Sequence, residues 1–141
     1  MNVNVRKSDC RFYVDEAHRK VVCVIPNTRD MVLDYILDSP LWSCGTPRER
    51  AALRLPNSFT GIATCNESDT FDEEIGKLIA YDKAKMKLNT SFFKRANKFV
   101  NQCDRELYKL IDSLNDFGSR LSEGADRREA KIEEYFNANR T

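Results

Sequence analysis

The fold is decided by residues 79–114, which read IAYDKAKMKLNTSFFKRANKFVNQCDRELYKLIDSL. Six apolar residues recur there at intervals of seven: Ile79, Met86, Phe93, Val100, Leu107 and Leu114. A second register alternates with the first at spacings of three and four: Ile75, Asp82, Asn89, Ala96, Cys103, Leu110 and Phe117. This pattern predicts one continuous helix with an apolar seam along one side.

The predicted helix needs a partner. No proline interrupts residues 71–117, which would span roughly 70 Å as a helix, more than a small sheet region can cover. Its start is expected at a cap formed by Ser68, Asp69 or Thr70. The partner is either the last segment, residues 126–139, folding back after a turn at Gly118 or Gly124, or a second copy of the chain. Self-association is favoured because the last segment offers few apolar anchors, namely Ile132, Tyr135 and Phe136.

The pattern of the first 66 residues predicts a small sheet. Val3 and Val5 alternate in strand fashion, and two β-rich runs around the polar residues 15–19 predict a hairpin. Residues 21–25 are apolar throughout, which predicts a central strand covered on both faces. Asn27 or Thr28 can cap a short amphipathic helix. A mobile loop with one helical turn at residues 47–53 is expected to follow. Residues 59–65 form another predicted strand, in which Gly61 suggests a bulge or a close backbone approach.

The predicted class is therefore α+β in a single domain, residues 1–141. A small N-terminal antiparallel sheet with a short helix occupies residues 1–66, and long C-terminal helices that mediate oligomerisation occupy residues 67–141. Gly76, in the first turns of the long helix, costs roughly 1 kcal/mol relative to alanine, which a close approach to the sheet or to a ligand would offset.

Composition limits the partners. With 23 basic and 22 acidic side chains, the chain lacks the excess charge that would attract nucleic acid in bulk. There is no secretory signal and no apolar run of spanning length, so a soluble cytosolic protein without a membrane partner is expected. The five cysteines are widely spaced and His18 is the only histidine, which favours buried reduced thiols over a metal site. No catalytic motif and no cofactor motif is present, so we expect a protein that is not an enzyme.

A binding site is proposed on the long helix. Tyr81 and Phe92 offer aromatic faces, while Lys85, Asn89 and Arg95 offer cationic and amide donors for phosphate or ribose. Asp82 in the seam needs a basic partner, for which Lys85 is the candidate. Arg54, in an arginine-rich loop with Arg48 and Arg50, could close over an anion, or these arginines could simply be solvated. The alternative is a polar layer that fixes helix register beside ordinary core aromatics.

Two stretches together carry a family resemblance. The first is FYVD at residues 12–15 with KVVCV at 20–24, and the second is TGIATCN at 60–66 leading through DTFDEEIGKLIA at 69–80. In this order, over roughly residues 11–85, the chain resembles the bacteriophage Thoeris anti-defence proteins of the first type. The resemblance implies a non-enzymatic sponge that sequesters cyclic ADP-ribose isomers, and in related members cyclic oligonucleotides. It also implies dimers that assemble into hexamers, with ligand held between protomers, in the cytoplasm of the infected bacterial host.

Three functions remain open from the sequence. The leading hypothesis is a phage immune-evasion protein that binds a cyclic nucleotide signal without degrading it. The second is a coiled-coil assembly or regulatory protein that binds another protein. The third is a DNA-binding regulator that uses the arginines of the loop and of the C-terminal helix.

Overall fold

The computed structural model describes the backbone of residues 3–140, and their side chains except at positions 48, 49 and 52. The fold is α+β, as predicted, with a three-stranded antiparallel sheet and a short helix before one long helix. The strands are β1 (Arg11–Asp15), β2 (Lys20–Pro26) and β3 (Ser58–Thr64), and the helices are α1 (Thr28–Leu37), α2 (Pro40–Ser43), α3 (Pro47–Arg50) and α4 (Glu73–Ala138). Short 3-10 turns occupy Lys7–Asp9 and Ala51–Leu53.

The strand β2 lies at the centre of the sheet, between β1 and β3. Val21, Cys23 and Ile25 alternate onto one face of β2 and are fully buried. On the other face the side chains of β2 are only half-buried, and the neighbouring Tyr13 and Ile62 are exposed. The central position is confirmed, but the prediction of cover on both faces is wrong, because α4 covers only one of them.

Two glycines allow α4 to approach the sheet closely. A β carbon at Gly61 of β3 would lie 2.5 Å from the backbone nitrogen of Ala84, so no side chain fits there. A β carbon at Gly76 of α4 would lie 2.6 Å from the Val21 side chain. Of the predicted explanations for these glycines, the structure therefore confirms close packing of helix against sheet.

The face of α4 toward the sheet differs from the predicted seam. The buried side chains of α4 repeat mostly every four residues: Ala80, Ala84, Leu88, Phe92, Ala96 and Phe99. Four members of the first predicted register in this part of α4, Ile79, Met86, Phe93 and Val100, are exposed. The first part of α4, as far as Val100, thus carries two apolar stripes, and only the alanine-rich one packs within the chain.

Residues 3–5 form no strand, contrary to the prediction for Val3 and Val5. Both valines are buried, and α4 holds the segment by two hydrogen bonds. The Asn89 Oδ1 accepts from the Val3 amide at 3.0 Å, and the Tyr81 hydroxyl donates to the Val5 carbonyl at 2.6 Å. The N-terminal segment is therefore part of the core.

The ends of α4 also differ from prediction. Asp72, rather than residues 68–70, caps the helix, since its Oδ1 accepts from the amides of Glu74 and Ile75 at 3.0 and 3.2 Å. The helix then continues through Gly118 and Gly124, so the turn considered at these glycines is absent from the described chain. The chain divides into two compact units, Met1–Gln102 and Cys103–Thr141. The helix α4 contributes residues to both units.

The segment between α1 and β3 is more ordered in secondary structure than expected. One helical turn was predicted at residues 47–53, and the structure has three consecutive turns: α2, α3 and the 3-10 turn Ala51–Leu53. Three buried leucine side chains anchor this segment: Leu41, Leu53 and Leu55. The segment forms one wall of a cavity against α1.

Candidate functional site

A cavity of about 640 Å³ lies between α1 and the turns that follow it. Its apolar lining includes the buried side chains of Val32, Ile36, Leu53 and Leu55. Its polar lining is cationic, because Arg29, Arg50 and Arg54 stand against one carboxylate, Asp30, among the described lining residues. A concave site of this volume with an apolar floor and a few charged groups is typical of small-molecule sites.

Arg50 and Trp42 contact each other directly at the cavity wall. The guanidinium carbon of Arg50 lies 4.7 Å from the centre of the Trp42 ring, and Arg50 Nη1 donates to the Trp42 carbonyl at 2.9 Å. The buried Nε of Arg50 has no hydrogen-bond partner among the described residues. An unpaired buried donor destabilises the folded chain, and because this nitrogen has almost no accessible surface, a ligand atom could bind it only after the Arg50 side chain shifts.

The other two arginines each take part in a hydrogen bond that involves a backbone carbonyl. Arg29 Nε donates to the Leu55 carbonyl at 2.8 Å, which fixes its guanidinium over the cavity wall. Arg54 is exposed, and its own carbonyl accepts from Arg95 Nη1 at 2.6 Å. Of the predicted site residues, Arg54 and Arg95 are thus brought together, with Arg54 lining the cavity. The side chain of Arg48, the third arginine of the predicted loop, lies outside the described residues.

Tyr81, Lys85 and Asn89 form a second cluster, which holds residues 3–5. Asn89 Nδ2 donates to the Lys85 carbonyl at 3.1 Å, and the Lys85 ammonium lies 4.5 Å from the centre of the Tyr81 ring. The predicted pair of Lys85 with Asp82 is present at 4.0 Å. Because the hydroxyl of Tyr81 and the amide of Asn89 already bind backbone, a ligand at this cluster would first have to displace the N-terminal segment.

Phe92 lies in the core. It is 3% exposed, and its ring meets Tyr35 of α1 edge to face at a centroid distance of 5.8 Å. A ring in this position has no free face on which a base could stack within the chain. The placement agrees with the alternative interpretation, in which Phe92 is an ordinary core aromatic.

Cys10 and Cys23 are neighbours, whereas the other thiols and the histidine are dispersed. Only Cys23 is buried, whereas Cys44 is exposed and Cys10, Cys65 and Cys103 are intermediate, so the prediction of buried thiols holds for one of five. Burial raises the pKa of Cys23 to about 12, with the neighbouring Cys10 adding to the effect. His18 lies exposed in the hairpin turn, where a hydrogen bond from its ring lowers the pKa of Asp15. Among the side chains that the structure describes, no three or more of His, Cys, Asp and Glu lie together as a metal site.

Trp42 and Arg29 were not predicted as site residues, and Arg50 was considered only as one of the loop arginines that could close over an anion. The density of arginines at residues 48–54 was the only available signal, and it gave no direction for their side chains. Trp42 joins Arg50 through consecutive short turns whose geometry depends on the buried leucines beneath them. None of the described helices combines the length and the apolar character needed to cross a bilayer. Comparisons with protein-family models, curated proteins and solved structures give no match to this chain.

Proposed function

We propose that the protein captures a phosphate-bearing cyclic nucleotide of the cyclic ADP-ribose type and holds it without degrading it. The observation that carries this proposal is the cavity lined by Trp42, Arg29, Arg50 and Arg54. The resemblance of residues 11–85 to the phage anti-defence proteins supports the choice of ligand and the setting, which would be the cytoplasm of an infected bacterium.

The chemistry of the cavity suits such a ligand. Guanidinium groups bind phosphate oxygens through paired donors, and a pyrophosphate could engage two arginines at once. The Trp42 ring, 38% exposed, can stack with a base, while the apolar floor can bury the remaining ring surface. Together these groups would favour an anionic ligand with an aromatic part over a bare inorganic anion.

The proposal extends the predicted site rather than replacing it. Arg54 stays as a predicted ligand residue, and Arg95 supports its backbone from α4. Tyr81, Lys85, Asn89 and Phe92 remain a prediction for ligand held between protomers. For them to contribute, the segment at residues 3–5 would have to move and Phe92 would have to leave the core.

Calorimetric titration of the full chain with a panel of cyclic ADP-ribose isomers and cyclic dinucleotides tests the proposal. Arg54→Ala should weaken binding by roughly 10- to 150-fold, because a hydrogen bond to a charged group contributes about 1.5–3 kcal/mol. Arg11→Ala removes the same type of side chain from an exposed position on β1 and should leave the affinity unchanged. Absence of binding across the panel, or equal affinity of Arg54→Ala and the wild type, would contradict the proposal.

The exposed stripe of α4 favours a second candidate, an assembly protein that binds through helices and takes no small molecule. Met86 and Phe93 are 71% and 68% exposed, and apolar side chains at seven-residue spacing are typical of helix pairing. Self-association through this stripe is compatible with both candidates. Light scattering that shows an oligomer, combined with flat calorimetry against the nucleotide panel, would favour the assembly protein alone.

A further inference from the structure

The unit Cys103–Thr141 presents an apolar stripe that none of its described residues covers. Leu107, Leu114 and Leu121 lie seven residues apart and are 54–59% exposed, and Leu110 and Phe117 fall between them at 56% and 53%. Contiguous apolar surface of this kind marks an interaction site in a protein that must remain in water. The spacing of three and four is that of a two-stranded helix seam.

We propose that this stripe pairs with the same stripe of a second copy, and that the two helices run antiparallel. This inference deepens the self-association put forward above and depends on it, but it does not depend on nucleotide binding. The choice of occupant and direction rests on where the charged side chains stand relative to the seam.

Arg128 argues against a parallel pair. It continues the seam one heptad beyond Leu121. In a parallel pair in register, each Arg128 would therefore lie against the Arg128 of the other copy in the desolvated centre. In an antiparallel pair centred between Leu114 and Phe117, the two arginines would lie roughly 37 Å apart along the axis. Like charges that close together are destabilising, so the antiparallel direction is favoured.

The same arrangement brings opposite charges together. With Leu114 opposite the partner's Phe117, Glu106 falls beside the partner's Arg127 at the edge of the seam, and the reciprocal contact forms at the other end. A parallel pair would instead place Glu106 beside the partner's Ile111. Within the chain, Glu106 meets only the exposed Lys109 at 3.2 Å among the ion pairs of the described residues, so it can turn toward a second copy.

The pairing also accounts for the two glycines of this unit, Gly118 and Gly124. A β carbon at Gly118 or Gly124 would meet nothing within 4 Å in the described chain. Each glycine nevertheless costs roughly 1 kcal/mol relative to alanine in a helix. In the antiparallel register Gly124 lies opposite the partner's Leu107, and Gly118 lies beside the partner's Ile111. Both glycines would then make room for a large side chain.

Spin-label distances in the full chain test the direction. Labels are placed on cysteines introduced at Asp116 or Asp126, on the outer side of the helix, after Cys10, Cys44, Cys65 and Cys103 are replaced by serine. In the antiparallel pair the two labels at position 116 lie nearly level, whereas those at position 126 are separated by roughly 30 Å along the axis. Equal distances at the two positions would overturn the proposal in favour of a parallel pair.

Charge exchange tests the register. Glu106→Arg should weaken the dimer by roughly 2- to 30-fold, since each dimer has two such contacts of about 0.2–1 kcal/mol. Adding Arg127→Glu should restore the affinity, while Asp112→Arg, on the outer side of the helix, should have no effect. Failure of the second change to restore the dimer would overturn this register.

Nucleotide titration separates this inference from the proposed function. A protein that is monomeric by light scattering at 100 µM, about the concentration used for spin labelling, would overturn the pairing even if it bound nucleotide in the cavity. An antiparallel dimer that binds no nucleotide would support the pairing and contradict only the proposed ligand.

Discussion

Gly61→Ala is the most informative single change in the core. The added β carbon would lie 2.5 Å from the Ala84 nitrogen and closer still to the Ala80 carbonyl oxygen, whereas ordinary contacts begin at 3.4 Å. Both atoms belong to the backbone of α4 and cannot rotate away. The strand β3 and the helix would therefore have to separate by about 1 Å along this contact.

The expected cost is about 3 kcal/mol in the free energy of unfolding. Overpacking of a core typically costs about 1–3 kcal/mol, and a gap of up to 1 Å forfeits a quarter to a half of each neighbouring dispersion contact. We take the upper end because neither backbone can yield by a side-chain rotation. The sign is opposite to the usual effect, since replacing glycine by alanine in a strand normally stabilises by about 0.5–1 kcal/mol.

Urea unfolding followed by the fluorescence of Trp42, the single tryptophan, measures this change. At a slope of about 2 kcal/mol per molar urea, Gly61→Ala should lower the midpoint by roughly 1.5 M. Gly124→Ala is the matched control at protein concentrations low enough to keep the chain monomeric, because its added methyl group then meets open space. Its midpoint should equal or slightly exceed that of the wild type. A Gly61→Ala midpoint within 0.2 M of the wild type would refute the close contact between β3 and α4.

Two further predictions follow from burial. Phe92→Ala should lower the free energy of unfolding by about 3–5 kcal/mol, while Phe93→Ala should lower it by less than about 0.5 kcal/mol in dilute solution. Equal losses in thermal unfolding would mean that the wrong stripe of α4 is assigned to the core. Iodoacetamide at pH 8 should modify the exposed Cys44 and spare Cys23, whose pKa is raised by burial to about 12, so that roughly one thiol in 10⁴ is ionised. Similar labelling of both in the folded protein, measured by peptide mass spectrometry, would contradict the burial of Cys23.

The sequence predicted the elements of the fold better than their packing. The apolar run at residues 21–25 identified the central strand, because a continuous apolar strand is rarely at an edge. It could not indicate that only one face is fully covered. Val3 and Val5 look like strand residues, but their amide and carbonyl groups bind Asn89 and Tyr81 of α4.

The long helix shows why the site was harder to predict. Phe92 and Phe93 are adjacent and equally apolar, so the heptad pattern alone could not decide which one faces the sheet. The deciding feature is the match between Gly61 and the alanines at positions 80 and 84, which depends on a contact between distant segments. Likewise, the pairing of Trp42 with Arg50 depends on how the turns before β3 pack on buried leucines.

Capture without turnover is tested most directly by incubating the purified protein with a slight molar deficit of a cyclic ADP-ribose isomer, removing free ligand by ultrafiltration, and then denaturing the protein. The proposed function predicts that the free ligand falls below detection in the first step and that the same molecule, with unchanged mass, is released in full by denaturation. Ligand that stays free in the first step, or that returns as a cleaved product, would contradict it.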